Sequence, residues 1–139
     1  MTLSLNLLLV ALAAALMLAF VSLVIGLLLR RRPGKLDQEA FKQRWHSLQS
    51  HCAQPATWPM AIIDADKLLD DALKRLHYRG KTMGERLVSA QRDISSNDMV
   101  WFSHKLRNKI VHEDIKLKKR DVQTALSGYL KALRDLGAL

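Results

Sequence analysis

Two hydrophobic patterns divide this chain. From Leu3 to Leu29 no ionisable side chain interrupts a run made mostly of Leu, Ala and Val. As a helix rising about 1.5 Å per residue, that run is about 40 Å long, enough to cross a ~30 Å hydrocarbon core with tilt. After it, apolar residues recur every three or four positions and polar ones fill the gaps, the signature of amphipathic helices packed on one core. Five such segments follow one another, and no stretch alternates with the period of a strand. The pattern predicts an all-α chain: an N-terminal transmembrane helix followed by a bundle of four to five helices, divided as anchor 1–35 and helical domain 36–139.

The segments have recognisable ends. The first helix spans about 36–50, with Leu36, Ala40, Phe41, Trp45 and Leu48 on one stripe and Asp37 placed to cap it. Pro55 and Pro59 break the chain, and Thr57 is placed to cap a second helix over about 58–77. Ala61, Ala65, Leu68, Leu69, Ala72, Leu73 and Leu76 form its apolar face, Asp64 sits at the edge of that face, and Asp70–Lys74 and Asp71–Arg75 are outward pairs at i, i+4. Gly80 reads as its stop. Thr82-Met83-Gly84-Glu85 has the form of a capping box and starts a shorter helix to about Ile94, with Leu87 and Val88 apolar. A turn at 95–98 leads into a helix over 98–113 with a core stripe of Met99, Phe102, Leu106 and Ile110. The last helix runs over about 119–136 on Val122, Leu126, Tyr129, Leu130 and Leu133, and Gly137 ends it.

Charge adds a direction. The chain carries a net charge of +9, and every charged side chain follows the apolar run. Arg30, Arg31, Arg32 and Lys35 flank that run directly, so the positive-inside rule places the N-terminus outside and the helical domain in the cytoplasm, as a single-pass inner (cytoplasmic) membrane protein. The same cluster suits anionic headgroups. A cleaved signal peptide fits poorly, because the run is too long and Met1-Thr2 offer no basic side chain. The basic balance points to anionic partners, membrane or nucleic acid. Cys52 is the single cysteine, which excludes an intrachain disulfide and a cysteine zinc cluster. No cofactor and no metal are expected: His46 and His51 lack further ligands, and His104 and His112 would stand about 12 Å apart along a helix.

The chemistry gathers late in the chain. Arg107, Asn108 and His112 lie near one helix end, with Asn108 and His112 on one face at i, i+4. A permanent cation, an amide and a titratable imidazole can bind phosphate and move protons. His104, Asn108 and His112 form a polar row beside Trp101, suited to a dimer groove or an RNA-facing groove. Asp64 is placed to orient Arg107 or His112, Glu113 follows the motif, and Lys116, Lys118, Lys119 and Arg120 add a basic patch for nucleic acid or lipid. The same Arg and His near a helix C-terminus would also satisfy the last carbonyls and the macrodipole.

The sequence Arg107-Asn108, three residues, His112 resembles the signature of the HEPN superfamily of small helical domains, and the stretch Trp58–Leu69 looks like the partner helix in small membrane-anchored bacterial proteins of that type. The resemblance covers about residues 38–139. It implies a homodimer whose motifs face each other, and a metal-independent endoribonuclease with Arg107, Asn108 and His112 as catalytic residues, Asp64, His104 and Glu113 supporting them. A protein partner or antitoxin is compatible with it. The other functional class is a non-catalytic, membrane-tethered helical interaction or dimerisation module, in which the motif stabilises a helix end or an interface.

Overall fold

A computed structural model describes residues 2–28 and 34–139. The chain forms two compact units, Met1–Arg32 and Pro33–Leu139. The basic triplet Arg30, Arg31 and Arg32 lies outside the described residues. Among the described residues every regular element is helical and there is no strand.

The first unit is one helix, α1 (Thr2–Leu28). Its apolar side chains point to all sides, and Leu8, Leu12, Leu16 and Leu23 are all more than half exposed. A helix that is apolar all round needs a nonpolar surrounding on every side. The segment Asn6–Gly26, 21 residues, is long and apolar enough to cross a membrane.

The second unit is a bundle of α2 (Gln38–Gln49), α3 (Trp58–Arg75), α4 (Met83–Ala90), α5 (Asn97–His112) and α6 (Lys119–Asp135). α3 is central: α2, α4, α5 and α6 all pack on it. Eight of its 18 residues are buried, including Ala61, Ile62, Ala65, Leu69 and Leu73. Small Ala residues between the leucines let several helices approach one axis, and each fully buried Leu or Ile stabilises by about 1.5–3 kcal/mol. The expected outward pairs form, Lys74–Asp70 at 2.7 Å and Arg75–Asp71 at 3.0 Å. Asp71 also receives Arg44 from α2 at 2.6 Å, and both arginines lie over the Phe41 ring.

The caps explain where the helices stop. Asp37 accepts from the Ala40 N–H at 3.1 Å, as its position suggests. Thr82 accepts from the Glu85 N–H at 3.2 Å, while the Glu85 carboxylate reaches back to the Lys81 N–H at 2.6 Å. α6 ends in a Schellman turn with Gly137 left-handed at φ 72° and Ala138 N–H bonded to the Leu133 carbonyl at 2.9 Å.

Four local expectations change. α3 stops at Arg75, two residues before His77, and Gly80 is not its stop. His77 itself takes the left-handed position at φ 63°, with Tyr78 N–H bonded to the Leu73 carbonyl at 3.0 Å. Thr57 does not cap α3 with its side chain; its hydroxyl sits 2.7 Å from the His51 carbonyl and 2.9 Å from that of Gln54, closing two short 3-10 turns. α4 ends at Ala90, and Val88 is exposed. The largest change is the rotation of α5. Its buried face is Val100, Ser103 and His104; Leu106 and Ile110 of the expected stripe do pack against the core, whereas Phe102 is 39% exposed. Gly128 on α6 is the cause. A Cβ there would collide with Ser103 Oγ and come within 2.7 Å of the Met99 carbonyl oxygen, so the two backbones pass too close for a large side chain between them. Ser103 fills the seam, its hydroxyl 2.8 Å from the Ala125 carbonyl. That phase turns His104 and Arg107 inward, toward α3.

Candidate functional site

The inward turn of α5 meets a carboxylate. Asp66 lies in the middle of the buried stripe of α3, one turn from Ile62 and one from Leu69, and is 3% exposed. A carboxylate there is costly unless charged and hydrogen-bonding partners surround it. They do. Asp66 Oδ1 is 2.8 Å from His104 Nδ1 and accepts the Tyr129 hydroxyl at 3.0 Å. Asp66 Oδ2 is 3.4 Å from Arg107 Nε. Arg107 Nε is itself buried, with the ion pair to Asp66 as its company rather than a hydrogen bond of good geometry. Three helices are thereby pinned to one carboxylate: α5 through His104 and Arg107, α6 through Tyr129, and α3 as its carrier.

The protonation of this cluster follows from donor logic. Arginine only donates, so the Asn108 amide oxygen must be the group facing Arg107 Nη1 at 3.0 Å. The Asn108 Nδ2 then faces His104 Nε2 at 3.4 Å. An amide nitrogen also only donates, so in this contact His104 Nε2 is the acceptor. The arrangement suits the tautomer whose Nδ1–H donates to Asp66. Tyr129 stays a donor as well: burial, then the charge and hydrogen bond of Asp66, push its hydroxyl well above the usual tyrosine range, against a smaller lowering by Arg107.

The cluster opens onto a polar cleft of about 440 Å³. Asp66, Lys67 and Asp70 of α3 form one wall, Thr82, Met83 and Gly84 at the start of α4 the second, and His104, Arg107 and Asn108 the third. Gly84 matters to access. A Cβ on it would lie 3.9 Å from His104 Nε2 and 3.8 Å from the Trp101 ring, so glycine leaves the free edge of the imidazole uncovered. Trp101 meets His104 edge-on, centroids 6.1 Å apart. Across the cleft, Asp70 is held by buried Arg86 at 2.7 Å, and Arg86 also donates to the Gly80 carbonyl at 2.7 Å, fixing α4 on α3. By sequence Arg86 reads as one more surface charge beside Arg79, Lys81 and Arg92, yet it is 6% exposed.

The structure thus brings together Arg107, Asn108 and His104. It does not add the others. His112 is exposed on the last turn of α5, and it does not line the cleft. Glu113 is exposed in extended backbone just beyond, its N–H bonded to the Lys109 carbonyl at 2.8 Å. Asp64 points elsewhere: its carboxylate lies 3.6 Å from His51, because position 64 is on the α2 side of α3. The role expected of Asp64 toward Arg107 is taken by Asp66, two residues and about 200° further round the helix. Lys35, Lys116, Lys118, Lys119 and Arg120 are all exposed, the last four in the α5–α6 connection and the first turn of α6.

Sequence reading misses Asp66 and the polar role of Tyr129. A signal for Asp66 is present: Ile62, Ala65, Leu69 and Leu73, its neighbours at −4, −1, +3 and +7, are all apolar, and a carboxylate in such a stripe is buried. For Tyr129 there is none beyond its place on the apolar face of α6. Comparison with known proteins gives no match to a family model, to a curated protein or to a solved structure.

Proposed function

We propose that this chain is a membrane-anchored, HEPN-like RNA-binding protein that cleaves RNA without a metal, through Arg107, Asn108 and His112. The observation that carries the reading is the last two turns of α5. Arg107 and Asn108 are hydrogen-bonded to each other in the cleft wall, and His112 is exposed one turn beyond on the same rigid helix. Near them in the chain, Lys105, Lys109, Lys116, Lys118, Lys119 and Arg120 are exposed and available to a polyanion, with the exposed acids Glu113 and Asp114 between them. RNA brings its own nucleophile, the 2′-OH. The protein needs to hold the phosphate, which suits a guanidinium, and to shuttle protons, which suits imidazole. Two copies related by a two-fold axis would set two such edges face to face. α1 would hold the pair at the membrane, N-terminus out and helical domain in the cytoplasm.

A second reading has its own observation. Arg107 is engaged inside the fold by Asp66 and Asn108, which is what a residue of purely architectural duty would show. On that reading the chain is a membrane-tethered interaction or dimerisation module, recruiting a protein partner.

The test is RNA cleavage by the full chain in detergent micelles, with chelator present. Arg107→Ala and His112→Ala should each abolish cleavage, and products should end in a 2′,3′-cyclic phosphate. Arg107→Lys should fail too, because an ammonium cannot reproduce two parallel phosphate contacts. His112→Gln should lose cleavage and keep RNA affinity. Wild-type protein that neither binds nor cuts RNA, with alanine variants that only melt earlier, overturns the reading in favour of the module.

A further inference from the structure

The imidazole with the geometry of a proton acceptor is not His112 but His104. From its arrangement we infer that His104 is the general base of the proposed site, that Asp66 positions it, and that the cleft beside Gly84 receives the ribose and its 2′-OH. The inference rests on the RNA reading above and gives it a second catalytic histidine.

Three features carry it. First, both ring nitrogens face partners that suit one tautomer: Asp66 accepts from Nδ1–H at 2.8 Å, and the Asn108 amide nitrogen, a donor, faces Nε2. The lone pair of Nε2 is therefore available, and the imidazole cannot rotate it away. Second, that lone pair is poorly used at home. The Asn108 contact is 3.4 Å, at the outer limit of a hydrogen bond, so a closer hydroxyl would replace it readily. Third, Nε2 faces the cleft, and the side chain that would cover it is absent at Gly84. An architectural Asp–His pair needs none of this openness.

The chemistry balances without any further reagent. The 2′-OH gives its proton to His104 Nε2 as its oxygen bonds to the adjacent phosphorus. The phosphorus–5′-oxygen bond breaks, and the 5′-oxygen takes a proton from the imidazolium of His112 of the second copy, since the two histidines of one chain stand about 12 Å apart along α5, leaving a 2′,3′-cyclic phosphate and a free 5′-hydroxyl. Arg107 faces the phosphate oxygens, and the imidazolium formed on His104 is compensated by Asp66. The charged and titratable groups that face His104 are Asp66, Lys67 and Asp70 from α3, Arg107 from α5 and Tyr129 from α6; α4 contributes only Thr82, Met83 and Gly84, none of which is charged.

Two measurements on the full chain in micelles test it. Cleavage of a short oligouridylate is followed against pH in the wild type, His104→Gln and Asp66→Asn. His104→Gln should slow cleavage by about 10²–10⁴-fold and remove the rising limb of the pH–rate profile. Asp66→Asn should move that limb to lower pH, because the imidazolium loses its counter-charge; a merely structural aspartate would lower the rate at all pH values alike. Independently, ¹⁵N-histidine spectra are recorded with oligouridylate and with its 2′-deoxy counterpart. The His104 Nε2 signal should shift with the ribo form and not with the deoxy form. If RNA shifts only His112, or His104→Gln cuts at the wild-type rate, RNA recognition survives and this inference falls. If no histidine responds and no RNA is cut, both fall together.

Discussion

Removing the Asp66 carboxylate is the sharpest perturbation of this fold. Asp66→Ala deletes the acceptor of two hydrogen bonds, from His104 at 2.8 Å and Tyr129 at 3.0 Å, and the counter-ion of Arg107 at 3.4 Å. Hydrogen bonds to a charged acceptor are worth about 1.5–3 kcal/mol each, but they share one oxygen and do not simply add. Breaking a buried ion pair by deleting one partner costs about 3–5 kcal/mol, because the surviving charge stays where water cannot reach it. Arg107 is not fully trapped. Its side chain is 28% exposed, and it can swing into the cleft and recover solvent. The lower end, about 3 kcal/mol, is the expected cost. For a unit of this size that lowers the melting temperature by about 12–15 °C.

Tryptophan fluorescence measures it cleanly in the full chain, since Trp45, Trp58 and Trp101 all lie outside α1. Asp64→Ala is the control: the Asp64 side chain is 42% exposed and 3.6 Å from a histidine, and its loss should cost under about 0.5 kcal/mol. Arg107→Met in the Asp66→Ala background should restore part of the loss, because it removes the stranded charge. A cost below about 1 kcal/mol for Asp66→Ala, with no coupling to Arg107→Met, would refute the claim that this carboxylate pins the three helices.

Two further outcomes follow from single contacts. Gly128→Ala should destabilise by about 1–3 kcal/mol in thermal melts although alanine is the better helix former, because the new methyl meets Ser103 Oγ and the Met99 carbonyl; Gly84→Ala, whose methyl meets only ordinary contacts, should not. Burial raises the Asp71 carboxyl, but hydrogen bonds and charge from Arg75 and Arg44 outweigh it and hold it below the usual aspartate range. Its contribution is therefore present above the unfolded aspartate value, about pH 4, and fades as pH falls through the lowered one; wild type and Asp71→Asn should differ in stability at neutral pH and converge in acid.

How far the sequence carries the fold depends on what each signal reports. Helix existence is legible because period and caps are local: the stripe of α3, the Asp37 and Thr82 caps and the Gly137 stop all act within a few residues. The rotation of α5 is not. Met99, Phe102, Leu106 and Ile110 form an apolar line, and hydrophobicity alone centres the inward face on it; Leu106 and Ile110 do reach the core, but Phe102 is turned out. What overrides it is a glycine 25 positions after Ser103 and a carboxylate 38 positions before His104, contacts between helices that no window along one helix contains. Arg107 and Asn108 of the motif line one cleft, and their third companion there is His104.

This exchange of companions bears on whether Arg107 is architectural or ligand-facing, because a guanidinium has room to be both. It carries five N–H donors. Nε is buried against Asp66 in an ion pair, and one hydrogen of Nη1 goes to Asn108. Three hydrogens remain, two of them on Nη2, and the side chain keeps its 28% exposure on the cleft side. A phosphate can therefore be bound without releasing Asp66, and the anchored half of the group then aims the free half. The anchoring lowers the entropy lost on binding, since the rotamer is already chosen. Lysine at this position has one nitrogen and no such division, so it would have to abandon either Asp66 or the phosphate. The buried ion pair that argues for architecture is, by the same geometry, the device that would hold a phosphate-binding arginine in place.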